Sequence, residues 1–133
     1  MNNPPSFAMS SLYVAAGGGL GAWLRYLIGR LWSASGGTAA FPYATLTVNI
    51  LGSFAMGLLA GWLARFGAHG EGWRLLLGVG LLGGFTTFSA FSLELVNMIQ
   101  RGNWAQAGSY SALSLIGGIA GLLAGLAVVR GLA

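Results

Sequence analysis

Few side chains in this sequence can do chemistry, and most of those are uncharged. Thr45, Asn49 and Ser53 recur at intervals of four, which sets them on one face of a helix. An unpaired amide in apolar surroundings costs about 2–7 kcal/mol. Asn49 must therefore face another helix or a wet path. Tyr110 and Ser114, with Gly117 or Gly118 one turn on, repeat the pattern. Hydroxyls so placed either donate to an anion or bond back to a carbonyl of their own helix. Phe88 and Phe91 share a face at a spacing of three, with Ser89 and Ser92 interleaved. An aromatic ring has a negative face and a positive edge. Two edges beside neutral donors suit a small anion; packed or lipid-facing rings are the plainer alternative. Glu94 is an acid inside an apolar stretch, where carboxylates are costly and usually functional. It reads as a proton relay, as a group near the mouth of a path, or as the partner of an arginine such as Arg101. His69 sits between glycines beside Glu71; a lone imidazole there reads as solvated.

Catalytic groupings are missing from the sequence. It has no paired carboxylates, no histidine-based triad and no phosphate-binding loop, so it does not read as an enzyme. It also has no cysteine, which removes disulfides, thiolate metal sites and thiol nucleophiles.

The elements that hold these residues follow from composition. Of 133 residues, 56% are apolar and 6% are charged. Soluble domains carry about 25% charged residues, so a water-facing surface cannot be built here. Disordered chains are polar and poor in aromatics, which excludes disorder. An all-α integral membrane protein remains. The net charge of +4 comes from singly scattered arginines, not from the basic stripe of a nucleic-acid binder. No basic segment precedes the first apolar stretch, so the first helix is expected to be retained rather than cleaved.

A bilayer core needs about 20 mostly apolar helical residues. Four stretches qualify: 11–32, 41–66, 73–99 and 104–129. They form a single transmembrane domain with lipid against its outer faces. Trp32, Trp62, Trp73 and Trp104 fall near span ends, where amphipathic rings favour the interface. Small-xxx-small pairs recur at Gly17/Gly21, Gly57/Gly61, Gly80/Gly84, Gly117/Gly121 and Gly121/Gly125, as close helix packing requires. The third span is long, and Gly83, Gly84, Thr86 and Thr87 are weak helix formers in succession. This predicts a broken helix near the bilayer centre, tolerated only where the freed backbone finds partners or lines a cavity. Carbonyls at such a break can coordinate a monovalent cation.

Four spans put both termini on one side. Arg65, Arg74 and Arg130 then face Arg30 and Arg101, with Arg25 close enough to snorkel to the latter side. Lys/Arg bias sets orientation, and three against three is no bias. Either both orientations form, allowing pairing with an inverted copy, or another cue fixes one.

The segments GGGLGAWLRY, TLTVNILGSF, GGFTTFSAFSLE and SYSALSLIGG resemble, over nearly the whole chain, the Fluc (CrcB-type) fluoride channels. The resemblance implies an antiparallel, dual-topology homodimer with two fluoride pores in the cytoplasmic (inner) membrane, exporting fluoride passively. It implies that Phe88 and Phe91 match the pore phenylalanines and Asn49 the pore asparagine. Tyr110 and Ser114 match polar positions of the fourth span, and Thr45 and Ser89 join them as candidate pore residues. The carbonyls of Gly83 and Thr86, from both subunits, would hold a structural Na+. Arg25 matches the first-span arginine. Ala90 stands where relatives often carry Thr, and Gly118 lacks a hydroxyl found in some. Two other functions fit the size and span number: a proton-coupled exporter using Glu94, and a non-conducting assembly subunit.

Overall fold

The computed structural model describes residues 5–35, 41–67 and 70–131. His69 and most of the first predicted turn lie outside them. Every regular element described is helical. Helix α1 (Phe7–Ala34) starts where the Ser6 side chain accepts the Met9 N–H, an N-cap bond that extends the helix beyond the predicted 11–32. Helix α2 (Tyr43–Phe66) follows Pro42. The third span comprises α3 (Glu71–Trp73), a π-helical segment (Arg74–Leu82), α4 (Gly83–Phe85) and, after two extended residues, α5 (Phe88–Gln100). Helix α6 (Trp104–Gly131) completes four segments long and apolar enough to cross a membrane.

The α5–α6 connection is a short reversal. The Gly102 N–H bonds the Ile99 carbonyl at 3.0 Å and the Asn103 N–H bonds that of Met98 at 2.9 Å. These are the paired bonds of a Schellman cap, which requires a left-handed residue at its centre. Gly102, at φ 75°, supplies it.

Close backbone contact sets the packing. A methyl group on Gly17 would strike the Leu76 carbonyl, one on Gly21 the Leu81 carbonyl, and one on Gly84 the Gly18 carbonyl. The first span therefore packs parallel to the first half of the third. Similarly, Gly57 abuts the Leu122 carbonyl, Gly125 the Phe54 carbonyl and Gly61 the Val129 side chain, so α2 runs parallel to α6. All the small-xxx-small pairs read from the sequence contribute to these two seams. Close approach lets dispersion and backbone contacts hold helices together where lipid offers no hydrophobic contrast.

Buried apolar side chains are few among the described residues: Val48, Leu82, Met98, Ala107 and Tyr110. Large residues such as Leu12, Leu20, Leu115, Ile116 and Leu123 are exposed instead. Outward apolar faces are stable in hydrocarbon and untenable in water. The protein is a multi-pass membrane protein.

The third span breaks at Thr86 (φ −78°, ψ 159°) and Thr87 (φ −152°, ψ 118°). Gly83 and Gly84, predicted as part of the break, remain helical. The π-helical stretch before it was not legible in the sequence.

Ala at Gly21 or Gly57 should destabilise the fold by about 1–3 kcal/mol through overpacking. Gly108→Ala, where an added methyl meets nothing within 4 Å, should be neutral. Thermal unfolding in detergent checks both; equal midpoints for all three would contradict the seams.

Candidate functional site

The break exposes backbone polar groups, and Asn49 of α2 takes up two of them. Its Nδ2 donates to the Thr87 carbonyl at 3.1 Å, and its Oδ1 accepts the Thr87 N–H at 2.8 Å. The side-chain amide thus stands in for a neighbouring peptide. Thr87 then caps α5, its Oγ1 accepting the Ala90 N–H at 3.2 Å and lying 3.3 Å from Ser89 Oγ. Thr86 bonds backward, its N–H and hydroxyl both donating to the Leu82 carbonyl.

These bonds account for two of the carbonyls that lose their helical donors across the break. In an unbroken helix Gly83 would accept from the Thr87 N–H, and Thr86 from the Ala90 N–H. Those donors are engaged by Asn49 Oδ1 and Thr87 Oγ1. The Gly83 and Thr86 carbonyls have lost their helical partners, and Gly83 is exposed. Carbonyl oxygens are hard ligands suited to cations such as Na+.

Beside the break lies a trough of about 370 Å³ lined by Asn49, Ser53, Phe88, Phe91, Ser111 and Ser114, among others. The Phe88 and Phe91 ring centroids are 5.7 Å apart with planes at 37°. Phe91 is backed by Tyr110 at 5.1 Å, while Phe88 is 79% exposed. The hydroxyls differ in availability. Ser111 donates to the Ala107 carbonyl and Ser92 to that of Phe88. Ser114 Oγ is buried and has no partner among the described residues. One Asn49 N–H bonds Thr87, and an amide nitrogen carries two. The trough therefore has neutral donors in reserve and, among the described residues, no charged side chain in its lining.

Tyr110 and Thr45 sit elsewhere. Tyr110 is 0% exposed, and its hydroxyl donates to Glu94 Oε2 at 2.6 Å. Thr45 Oγ1 donates to Glu94 Oε1 at 2.7 Å. Glu94 thus bonds two hydroxyls rather than Arg101. Both Thr45 and Glu94 line a second cavity, about 510 Å³, with Arg25, Tyr26, Arg30 and Thr87. Thr87 borders both cavities. Arg25 is half-buried there and makes no hydrogen bond or ion pair among the described residues.

Ser89 is exposed next to the break. Ala90 lines the arginine cavity. A methyl on Gly118 would lie 3.5 Å from Ser53 Oγ, so a hydroxyl-bearing residue there would adjoin the polar face of α2. Sequence reasoning did not single out Ser111. Its signal was present: it lies three residues before Ser114, on the same face.

Asn49→Leu removes both bonds to Thr87 and strands a buried N–H and a carbonyl. At about 1–3 kcal/mol for each stranded group, the loss should be roughly 2–6 kcal/mol. Unfolding in detergent measures it; a loss below about 1 kcal/mol would mean the break does not depend on this amide.

The sequence profile described as CrcB-like protein, Camphor Resistance (CrcB), matches residues 12–126. Among curated relatives, the "Fluoride-specific ion channel FluC" of Novosphingobium aromaticivorans is 54% identical over 125 residues, covering 93% of this chain and 98% of the relative. A protein of the same name from Caulobacter sp. is 52% identical over 124 residues, covering 90% and 93%. That of Sphingopyxis alaskensis is 50% identical over 123 residues, covering 92% and 97%. With a profile match spanning most of its length and relatives of this similarity, the chain belongs to the CrcB-like family.

Proposed function

We propose that this protein is a fluoride channel, not an enzyme, that lets fluoride leave the cytoplasm passively across the inner membrane. The observation that carries the reading is the trough: uncharged donors of Asn49 and Ser114 and the rings of Phe88 and Phe91 line one cavity beside a broken span. The relatives named for fluoride conduction support it. Fluoride is small and strongly hydrated, so a path must replace its water with close donors. Neutral donors and ring edges do so without the fixed positive charge that would hold the ion too long for rapid exit. Thr45, Ser89 and Tyr110 belong to the surrounding polar shell. Tyr110 buttresses Phe91 and, with Thr45, holds Glu94. Arg25 and Arg30, in the adjoining cavity, attract anions without standing in the trough.

The assembly proposed is an antiparallel homodimer with two pores. The balanced arginines permit both orientations. The exposed Phe88 ring and Gly83 would be covered by an inverted copy. The Gly83 and Thr86 carbonyls of both copies would hold a structural Na+, which would offset repulsion among inward-pointing oxygens. Their lost helical donors make them suitable ligands. No observation favours the proton-coupled exporter or the assembly subunit over this reading.

Purified protein in liposomes should release trapped fluoride and retain chloride. Equal rates for the two ions, or no flux, would overturn the proposal. Phe91→Ile should slow fluoride by about tenfold or more, equivalent to about 1.4 kcal/mol in the barrier; an unchanged rate would remove the ring from the path. Replacing Na+ with a bulky organic cation during purification should lower both dimer stability and flux. Indifference to that exchange would remove Na+ from the structure.

A further inference from the structure

Glu94 lines the arginine cavity and not the trough, yet its two oxygens are bonded to the helices that build the trough. Oε1 accepts the Thr45 hydroxyl of α2 at 2.7 Å, and Oε2 accepts the Tyr110 hydroxyl of α6 at 2.6 Å. Thr45 lies four residues before Asn49, and Tyr110 four before Ser114. Each bond therefore grips its helix one turn from a trough donor, on the same face. Arg25 and Arg30 share the cavity of Glu94, but its oxygens bond hydroxyls instead of guanidinium groups.

The Tyr110 ring carries the linkage to the aromatic wall. It is buried, with Phe91 at 5.1 Å and Phe41 at 5.6 Å. A bond from its hydroxyl to Glu94 fixes the tip of the ring, so the surface behind Phe91 cannot swing about the Tyr110 Cβ. Glu94 and Phe91 are three residues apart on α5 and so lie on one side of it. The glycine contacts of α2 with α6 run from Ile50–Gly117 to Gly61–Val129. The carboxylate ties the same two helices ahead of that seam, beside Asn49.

We propose that Glu94 is the positioning residue of the trough: a clamp off the ion path that sets the spacing of the Asn49 and Ser114 donors and the seat of Phe91. A binding constellation keeps its geometry only when the side chains behind it are locked by their own bonds. A small anion is told from a larger one by how closely the donors approach it, so the clamp governs selectivity as well as rate. This rests on the fluoride-conducting reading above.

The test uses full-length protein in liposomes at neutral pH, with fluoride and chloride release measured for wild type, E94M, E94Q and Y110F and the leak of protein-free liposomes subtracted. Met has about the length of Glu and offers no oxygen to either hydroxyl. E94M should slow fluoride by about tenfold or more. Gln has no charge and no titrating proton, but its amide can still bridge the two sites, accepting from one hydroxyl and donating to the other. E94Q should therefore be clearly faster than E94M and slower than wild type. The ratio of fluoride to chloride rates, which does not depend on how much protein is active, should fall in the same order. Fluoride rates and ratios within about twofold of wild type in E94M would overturn the proposal. So would E94Q as slow as E94M, which would assign the role to charge or to proton transfer. Both variants running faster than wild type would also overturn it, since the carboxylate would then only oppose the pull of the arginines on anions. Should E94M fail to fold, Y110F decides, because it keeps the ring against Phe91 and loses the bond to Glu94. It should lower both rate and ratio, and wild-type values would overturn the proposal. Absence of fluoride flux in the wild type would instead overturn the conduction reading, and this inference with it.

Discussion

A backbone that stops being helical inside a membrane needs partners for its N–H and C=O groups, because hydrocarbon provides none. Here the Asn49 amide meets that constraint through its paired bonds to Thr87. The rest of the site follows from it. The Thr87 N–H is drawn away from Gly83, so the first half of the span ends. The Thr87 hydroxyl caps α5, so the second half restarts at Phe88. Phe88 and Phe91 thereby occupy the first turn of a new helix, next to the amide that made the restart possible. The same amide is structural and chemical, since its remaining N–H belongs to the trough.

The two glycine seams hold that amide in place. The first span lies against the early third span and α2 lies against α6, each at backbone distance. The break therefore sits between two tightly joined pairs. Its partner Asn49 comes from one pair and Thr87 from the other. Methyl groups on the seam glycines would separate the helices within a pair. Such a shift would move Asn49 against Thr87 and, at the α2–α6 seam, against Ser111 and Ser114 across the trough.

Charge is kept apart from the trough. Glu94 is held by two hydroxyls, and Arg25 and Arg30 line a different cavity that meets the trough at Thr87. Neutral donors bind a small anion less tightly than a guanidinium would, and passage requires weak as well as adequate binding. In the proposed mechanism, arginines in the adjoining cavity would raise the local anion concentration without trapping the ion. The committed Tyr110 hydroxyl fits this division: it stabilises the carboxylate and leaves Ser114 as the available hydroxyl on α6.

Four spans, the third-span break, the Thr45–Asn49–Ser53 face and the packing role of the glycines were all legible in the sequence. Each depends on composition or on helical periodicity, which are local properties. The glycine motifs could not say which helices pair, because small-xxx-small spacing marks a close surface without naming its partner. The break settled on Thr86 and Thr87 rather than on the glycines because Asn49, 38 residues away, competes for the Thr87 N–H. Tyr110 and Ser114 look equivalent by spacing. Only the fold separates them, since Glu94 reaches one hydroxyl and not the other. The sequence by itself determined that this protein lives in a membrane and which faces are polar. Tertiary structure decided which polar groups are used up on each other and which remain free, because that balance depends on contacts between helices far apart in the chain.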